Sequence, residues 1–259
     1  MASAASVLRV DSISLAFGGV RVFDDISLNV AAGELVALIG PNGAGKTSVL
    51  NCVSGIYRPD AGAVWLDGQR IDGWRPNRIA AHGVARTFQH AELLPDMSVL
   101  ENLLVGRHAS YRVPLWQQCI FGRVARAQER EHRAAVERVI EFVELEGVRN
   151  APVGGLAFGR QKVVGFARAL AMNPALILLD EPSAGLNREE KEDLARFILR
   201  IRHELRIPML WVEHDMQMVA DLADRICALN YGHMITEGRP EQVLSHPAVI
   251  QAYLGDPAR

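Results

Sequence analysis

Gly40-Pro41-Asn42-Gly43-Ala44-Gly45-Lys46-Thr47 stands between the apolar run Leu35 to Ile39 and a helix-like segment, Gly45 to Ile56. The stretch has the form G-x-x-x-x-G-K-[ST], the pattern of a phosphate cradle. Glycines admit backbone conformations closed to other residues, so successive N–H groups can converge on phosphate oxygens, and the following helix adds its positive N-terminal end. Lys46 can then reach the β- and γ-phosphates, and the Thr47 hydroxyl can ligate a magnesium ion that bridges them. The plain alternative is a glycine-rich turn with no ligand. The strand before and the helix after count against it.

The chain has 259 residues, of which 49% are apolar, enough to bury a sizeable core in one large domain or two small ones. Its formal net charge is -2 with no block of like charges, so nothing points to a nucleic-acid surface. Cys52, Cys119 and Cys227 are widely separated and form no C-x-x-C. They read as buried small hydrophobes in a reducing compartment rather than a disulfide framework. The first ten residues lack a secretory pattern, and the apolar runs, such as Ala175 to Leu179, fall far short of the ~20 residues that span a bilayer. A membrane role would therefore require docking onto another subunit.

From Val7 to Ile39 the chain reads as strands: Ile13 and Leu15 alternate with Ser12 and Ser14, Gly18-Gly19 marks a hairpin turn, and Val22 to Val30 returns. Pro59 to Gly62 reads as a turn, Ala63 to Leu66 as a strand and Asp67-Gly68 as another turn. Ser98 and Glu101 form a capping box that predicts a helix from Val99. Val136, Val139, Ile140 and Val143 give a second helix with one buried face. After Pro174 come a strand at Leu176 to Leu179, a helix at about Arg188 to Leu205 and a strand at Met209 to Val212, the alternation of a parallel α/β sheet. The expected division is 1–92, a β subdomain with the first half of the core; 93–173, a helical insert; and 174–259, the second half with C-terminal helices. All three belong to one domain.

Leu176-Ile177-Leu178-Leu179-Asp180-Glu181 is an apolar strand ending in two carboxylates, which is costly unless a cation or hydrogen bonds receive them. Beside a phosphate cradle, Asp180 can serve the magnesium shell and Glu181 can polarise a water aimed at the γ-phosphate. On its own the pair could be a helix cap or an exposed turn. Glu213-His214-Asp215 invites a metal reading, but no second His or Cys cluster completes a tetrahedral site.

These motifs, in this order, resemble the nucleotide-binding subunits of ATP-binding-cassette transporters over nearly the whole chain. The resemblance implies an α/β P-loop NTPase fold with an N-terminal antiparallel β subdomain and a helical insert. It implies ATP bound by Gly40, Pro41, Asn42, Gly43, Ala44, Gly45, Lys46, Thr47 and Ser48, and Mg2+ held by Thr47, Asp180 and Gln89, the last being similar to the family's Q-loop glutamine. Catalysis would fall to Glu181, Lys46 and His214, which looks like the switch histidine contacting the γ-phosphate. Ser183, Ala184, Gly185, Leu186 and Asn187 look like the D-loop that crosses the dimer interface. Phe17 matches the position of the aromatic that stacks on adenine; a core phenylalanine of the β subdomain is the other reading.

One motif departs from the pattern. The signature, Leu-Ser-Gly-Gly-Gln or Leu-Ser-Tyr-Gly-Gln in the family, is here Leu156-Ala157-Phe158-Gly159-Arg160, followed by a helix-like stretch, Gln161 to Asn173. In the family the serine hydroxyl contacts the γ-phosphate of ATP on the opposite subunit. Without it, backbone N–H groups at Gly159 remain, and Arg160 either adds a charged contact or points to solvent.

Ala85 to His90, the long insert after Asn102, the alanine in the signature, Glu213 to Met216 and the ending Ala252-Tyr253-Leu254-Gly255 resemble the first ATPase of branched-chain amino acid importers. That likeness implies a peripheral protein on the cytoplasmic face of the inner membrane, working with a second homologous ATPase, two membrane permeases and an external solute-binding protein. Importers for urea or other amides and the ATPase of a lipopolysaccharide extractor share parts of it. A family member acting on DNA or ribosomes would carry coiled-coil arms or tandem cassettes, which are absent from this sequence. A nucleotide-gated module without turnover fits the altered signature but not Glu181 and His214. In the insert, Leu115, Trp116, Ile120 and Phe121 either face the permease or lie within the helical subdomain.

Overall fold

The structure, a computed structural model, describes residues 6–87, 93–108 and 123–254. Strands β1 (Ser6–Phe17) and β2 (Val20–Ala31) form an antiparallel hairpin turned at Gly18-Gly19. β4 (Ala61–Leu66) and β5 (Gln69–Arg70) extend it to a four-stranded sheet ordered β2-β1-β4-β5. A second sheet holds β3 (Leu35–Ile39), β6 (Val84–Thr87), β7 (Leu176–Asp180), β8 (Met209–Val212), β9 (Arg225–Asn230) and β10 (His233–Gly238), in the order β10-β9-β3-β8-β7-β6. Its strands are parallel except β10, which pairs antiparallel with β9.

A parallel sheet covered on both faces needs strands that are apolar throughout, and β3, β7 and β8 are buried at every position. Alternate side chains then serve opposite faces. Leu35, Ala37, Ile39, Ile177, Leu179, Met209 and Trp211 join the helical side, whereas Val36, Leu38, Leu176, Leu178, Leu210 and Val212 face the antiparallel sheet and helix α1 (Lys46–Val53). The continuous apolar runs in the sequence follow from this double coverage.

The remaining α-helices among the described residues are α2 (Pro76–Ala81), α3 (Val99–Gly106), α4 (Arg123–Phe142), α5 (Phe158–Ala171), α6 (Arg188–Arg200), α7 (Met216–Leu222), α8 (Pro240–Leu244) and α9 (Pro247–Leu254). The capping box at Ser98 and Glu101 is formed in both directions, and α3 begins at Val99. Val136, Ile140 and Val143 are buried with Val139 packed beside them, on the helix face that the periodicity marks.

Four local expectations shift. The helix after the cradle closes at Val53 rather than Ile56, because Ser54 is its C-cap and Gly55 then takes a left-handed conformation, φ 75°. Ala61 and Gly62 belong to β4 instead of a turn, because Ala61 pairs with Ser14. The helix from Arg188 changes to a π-helical turn, Ile201–Leu205, before Arg206 takes a left-handed conformation. The helix after the signature begins at Phe158 rather than Gln161, since Ala157 is extended and acts as its N-cap, so Gly159 and Arg160 lie in the first turn.

Candidate active site

The cradle emerges from the C-terminal end of the central strand β3, the edge where parallel α/β sheets place ligands. Gly40 opens it in close quarters: a Cβ there would collide with the Leu229 carbonyl oxygen on β9. No larger residue fits. Gly45 is the left-handed N-cap of α1, and this helix start lacks a side-chain cap, leaving its N–H groups directed at the loop.

Lys46 is almost fully buried, and its ammonium donates to the carbonyl oxygens of Gly40 at 2.7 Å and Pro41 at 3.0 Å. Burial lowers the Lys46 pKa below that of an ordinary lysine, while Glu181 and Asp180 act to raise it. The cation is thus folded over the cradle, with both carboxylates within electrostatic reach. Thr47 is exposed beside it.

Asp180, the last residue of β7, is buried in an ion pair with Arg86 of β6, Nη2 to Oδ2 at 2.7 Å. The same guanidinium donates to Asn51 Oδ1 at 2.6 Å on α1 and to Ser54 Oγ at 3.1 Å at its C-cap. A buried carboxylate without a cation would cost several kcal/mol, so Arg86 is the partner that offsets the burial of Asp180 next to the cradle. Glu181 follows in a left-handed conformation, φ 47°, with its N–H on the Val212 carbonyl oxygen at 2.9 Å. Its Oε1 lies 2.9 Å from His214 Nε2. β7 and β8 therefore bring the acidic pair and the histidine to one edge.

Glu213 is 2% exposed, and its carboxylate accepts the N–H groups of His214 at 2.8 Å, Asp215 at 3.3 Å and Ser183 at 3.4 Å. It ties the segment after β8 to the start of the stretch Ser183 to Asn187. No group of three or more His, Cys, Asp or Glu able to hold a metal occurs among the described residues. Asp215 caps α7 through the Met218 N–H and pairs with Lys191 at 2.7 Å.

Asn187 caps α6 reciprocally with Glu190. The Glu190 carboxylate end stands over Gly159, where it fills the place that a Cβ would take, and the Phe158 ring lies beside Gly185. Ser183 to Asn187 and Leu156 to Arg160 thus adjoin each other at the N-terminus of α5. That N-terminus has no side-chain cap, and Arg160 is exposed. Phe17 is 48% exposed and meets Tyr57 edge to face, with centroids 5.0 Å apart. It is not a core residue.

Gln89 lies outside the described residues, as do Cys119, Leu115, Trp116, Ile120 and Phe121. Cys52 and Cys227 are buried, and burial pushes each thiol up to about 12. Arg86 and Glu213 carry roles that motif reading passed over. The available signals were an arginine in the apolar strand Val84 to Thr87 and a carboxylate directly after Met209 to Val212.

Residues 23–184 match the family model described as ABC transporter, and residues 233–259 match one described as branched-chain amino acid ATP-binding cassette transporter. The high-affinity branched-chain amino acid transport ATP-binding protein BraF of Pseudomonas aeruginosa is 38% identical over 250 residues, covering 96% of this chain and 98% of that one. Its counterpart LivG of Escherichia coli K12 is 38% identical over 253 residues with the same coverage. Among solved structures, an ATP-binding cassette of an ABC transporter in its ADP conformation superposes with a TM-score of 0.85 at 30% identity, covering 97% of this chain and all of that one. A nucleotide-free ATP-binding cassette gives a TM-score of 0.84 at 31% identity over the same share. The chain therefore belongs to the ATP-binding subunits of ABC transporters, of the branched-chain amino acid transporter type, and is an ATPase of that family.

Proposed function

We propose that this chain binds and hydrolyses ATP between two facing cassettes and so powers import of branched-chain amino acids. It works as the first of two homologous ATPases on the cytoplasmic face of the inner membrane, with two permeases and an external solute-binding protein. The observation that carries the reading is the gathering of Lys46, Asp180, Glu181 and His214 at the C-terminal edge of β3, β7 and β8. The cargo rests on the names of the relatives and on the tail match. No helix among the described residues is long and apolar enough to cross a membrane, which fits a peripheral subunit.

In this reading Lys46 leaves the carbonyls of Gly40 and Pro41 to meet the β- and γ-phosphates, an exchange of neutral acceptors for charged ones. The Thr47 hydroxyl and the Asp180 carboxylate form a hard oxygen donor set that suits magnesium, which when bound supplies charge neutralisation at the phosphates. Glu181 accepts a proton from the attacking water, and His214, within hydrogen-bond distance of Glu181, positions the base and the γ-phosphate. The Leu156 to Arg160 segment completes the partner's site through the backbone N–H groups of α5, and Phe17 stacks on the base.

Uptake into vesicles carrying the assembled transporter tests the whole reading. ATP-dependent accumulation of leucine, isoleucine or valine, abolished together with ATP binding by Lys46→Ala, is the expected result. Accumulation of urea instead would reassign the cargo, and unchanged ATP affinity in Lys46→Ala would remove the cradle from the nucleotide site.

A further inference from the structure

The ending Ala252-Tyr253-Leu254 takes no part in the chemistry derived above, yet it reaches the nucleotide site. Helix α9 follows β10 and α8, and Val249 anchors it in the helical-side core at 3% exposure. From its last turn the Tyr253 hydroxyl accepts the Gly40 N–H at 2.6 Å. The carbonyl oxygen of that same glycine accepts Lys46 Nζ at 2.7 Å. Both polar groups of one residue are therefore engaged from opposite directions, by the C-terminal helix and by the lysine of the cradle.

We propose that Tyr253 is a positioning residue of the nucleotide site, holding the first residue of the cradle fixed while Lys46 exchanges its carbonyl partners for phosphate. Resting on the reading of this loop as an ATP cradle, it gives the tail matched by the second family model a direct role at that cradle. The physical case has three parts. Gly40 cannot be held by its own side chain, and the Leu229 carbonyl oxygen stands where a Cβ would go, so an outside acceptor is the available means of fixing its N–H. The phenol suits this role, because its oxygen, on a ring held by the last turn of α9, offers a lone pair to the amide at 2.6 Å. Finally, a loop whose hinge is already ordered loses less entropy when it closes on a ligand, which favours affinity over the chemical step.

Tyr253→Phe keeps the ring and removes the acceptor. A neutral hydrogen bond of this kind contributes enough to predict an ATP KM raised roughly three- to tenfold, with kcat held within about twofold, in the assembled transporter. Gln251→Ala, an exposed neighbour on the same helix, should leave both values at wild type. Amide hydrogen exchange in the full-length nucleotide-free chain gives a reading independent of any variant. Gly40 should exchange more slowly than the exposed Asn42 and Gly43, and Tyr253→Phe should erase that difference. A KM unchanged by Tyr253→Phe, or a wild-type Gly40 amide exchanging as fast as Asn42, overturns the proposal. If the wild-type chain itself fails to bind ATP, the cradle reading falls instead, which separates the two failures.

Discussion

At the scale of single residues, the site is built from side chains that each satisfy an electrostatic requirement of another. Arg86 neutralises buried Asp180, Glu213 receives three backbone N–H groups, and Lys46 occupies two carbonyls of the loop that it closes. Ala157, like Gly45 at α1, is an N-cap without a side-chain cap, here at the start of a 14-residue helix. Serine there would satisfy an orphan N–H of the first turn, so Ala157→Ser should stabilise the isolated nucleotide-free chain by about 1 kcal/mol in thermal or urea unfolding. Unchanged or lower stability would mean that the first turn is already satisfied by another group, the Glu190 carboxylate over Gly159 being the nearest anion. If that hydroxyl also serves the facing ATP, turnover should rise by about tenfold in the assembled transporter, and this second effect separates the two roles.

At the scale of elements, the three helices of the insert are tied to one another by Arg107 at the end of α3. Its Nε donates to His132 Nδ1 on α4 at 2.8 Å, and its Nη1 to the Ala171 carbonyl oxygen at the end of α5, also at 2.8 Å. Burial, joined by the charge of Arg107, lowers the His132 pKa below 6.5, with Glu131 and Glu129 opposing. The sign follows directly. Below pH 6.5 the unfolded chain binds a proton that folded His132 refuses, so this residue makes the chain progressively less stable as the pH falls. His132→Gln should flatten that acid limb of the stability profile, measured by urea unfolding; an identical slope in the variant would assign the acid sensitivity elsewhere. Little of this linkage is visible in the sequence. The 3.6-residue spacing of Val136, Val139, Ile140 and Val143 marks the buried face of α4, but a histidine whose partner sits 25 positions earlier leaves no local pattern. The same holds for Arg86 and Asp180, 94 positions apart. Glycine-lysine spacing, capping boxes and apolar runs are local and therefore legible; helix ends and turns shift by a few residues wherever tertiary pairing, as between Ser14 and Ala61, outweighs turn chemistry.

At the scale of the molecule, strand order accounts for why residues scattered from Lys46 to His214 come together. β3, β7 and β8 lie side by side in parallel, so whatever follows each of them arrives at one edge, and β9 with the C-terminal helices brings Tyr253 to the same place. The order of the motifs carries the family reading, whereas the tail's contact with Gly40 depends on a fold-back across 213 positions that no periodicity announces. The uncapped α5 terminus adjoins Ser183 to Asn187, with Phe158, Arg160, Gly185 and Asn187 exposed there, an arrangement that agrees with the proposed completion of a partner's site. Whether Glu181 is the base of an ATP site shared between two cassettes is decided by Glu181→Gln in the assembled transporter, following bound ATP and released phosphate in a single turnover. With Glu181 as the base, ATP binds at near wild-type affinity, stays uncleaved and holds the cassettes in a closed pair. Phosphate release at the wild-type rate, or ATP bound without closure, would contradict that assignment.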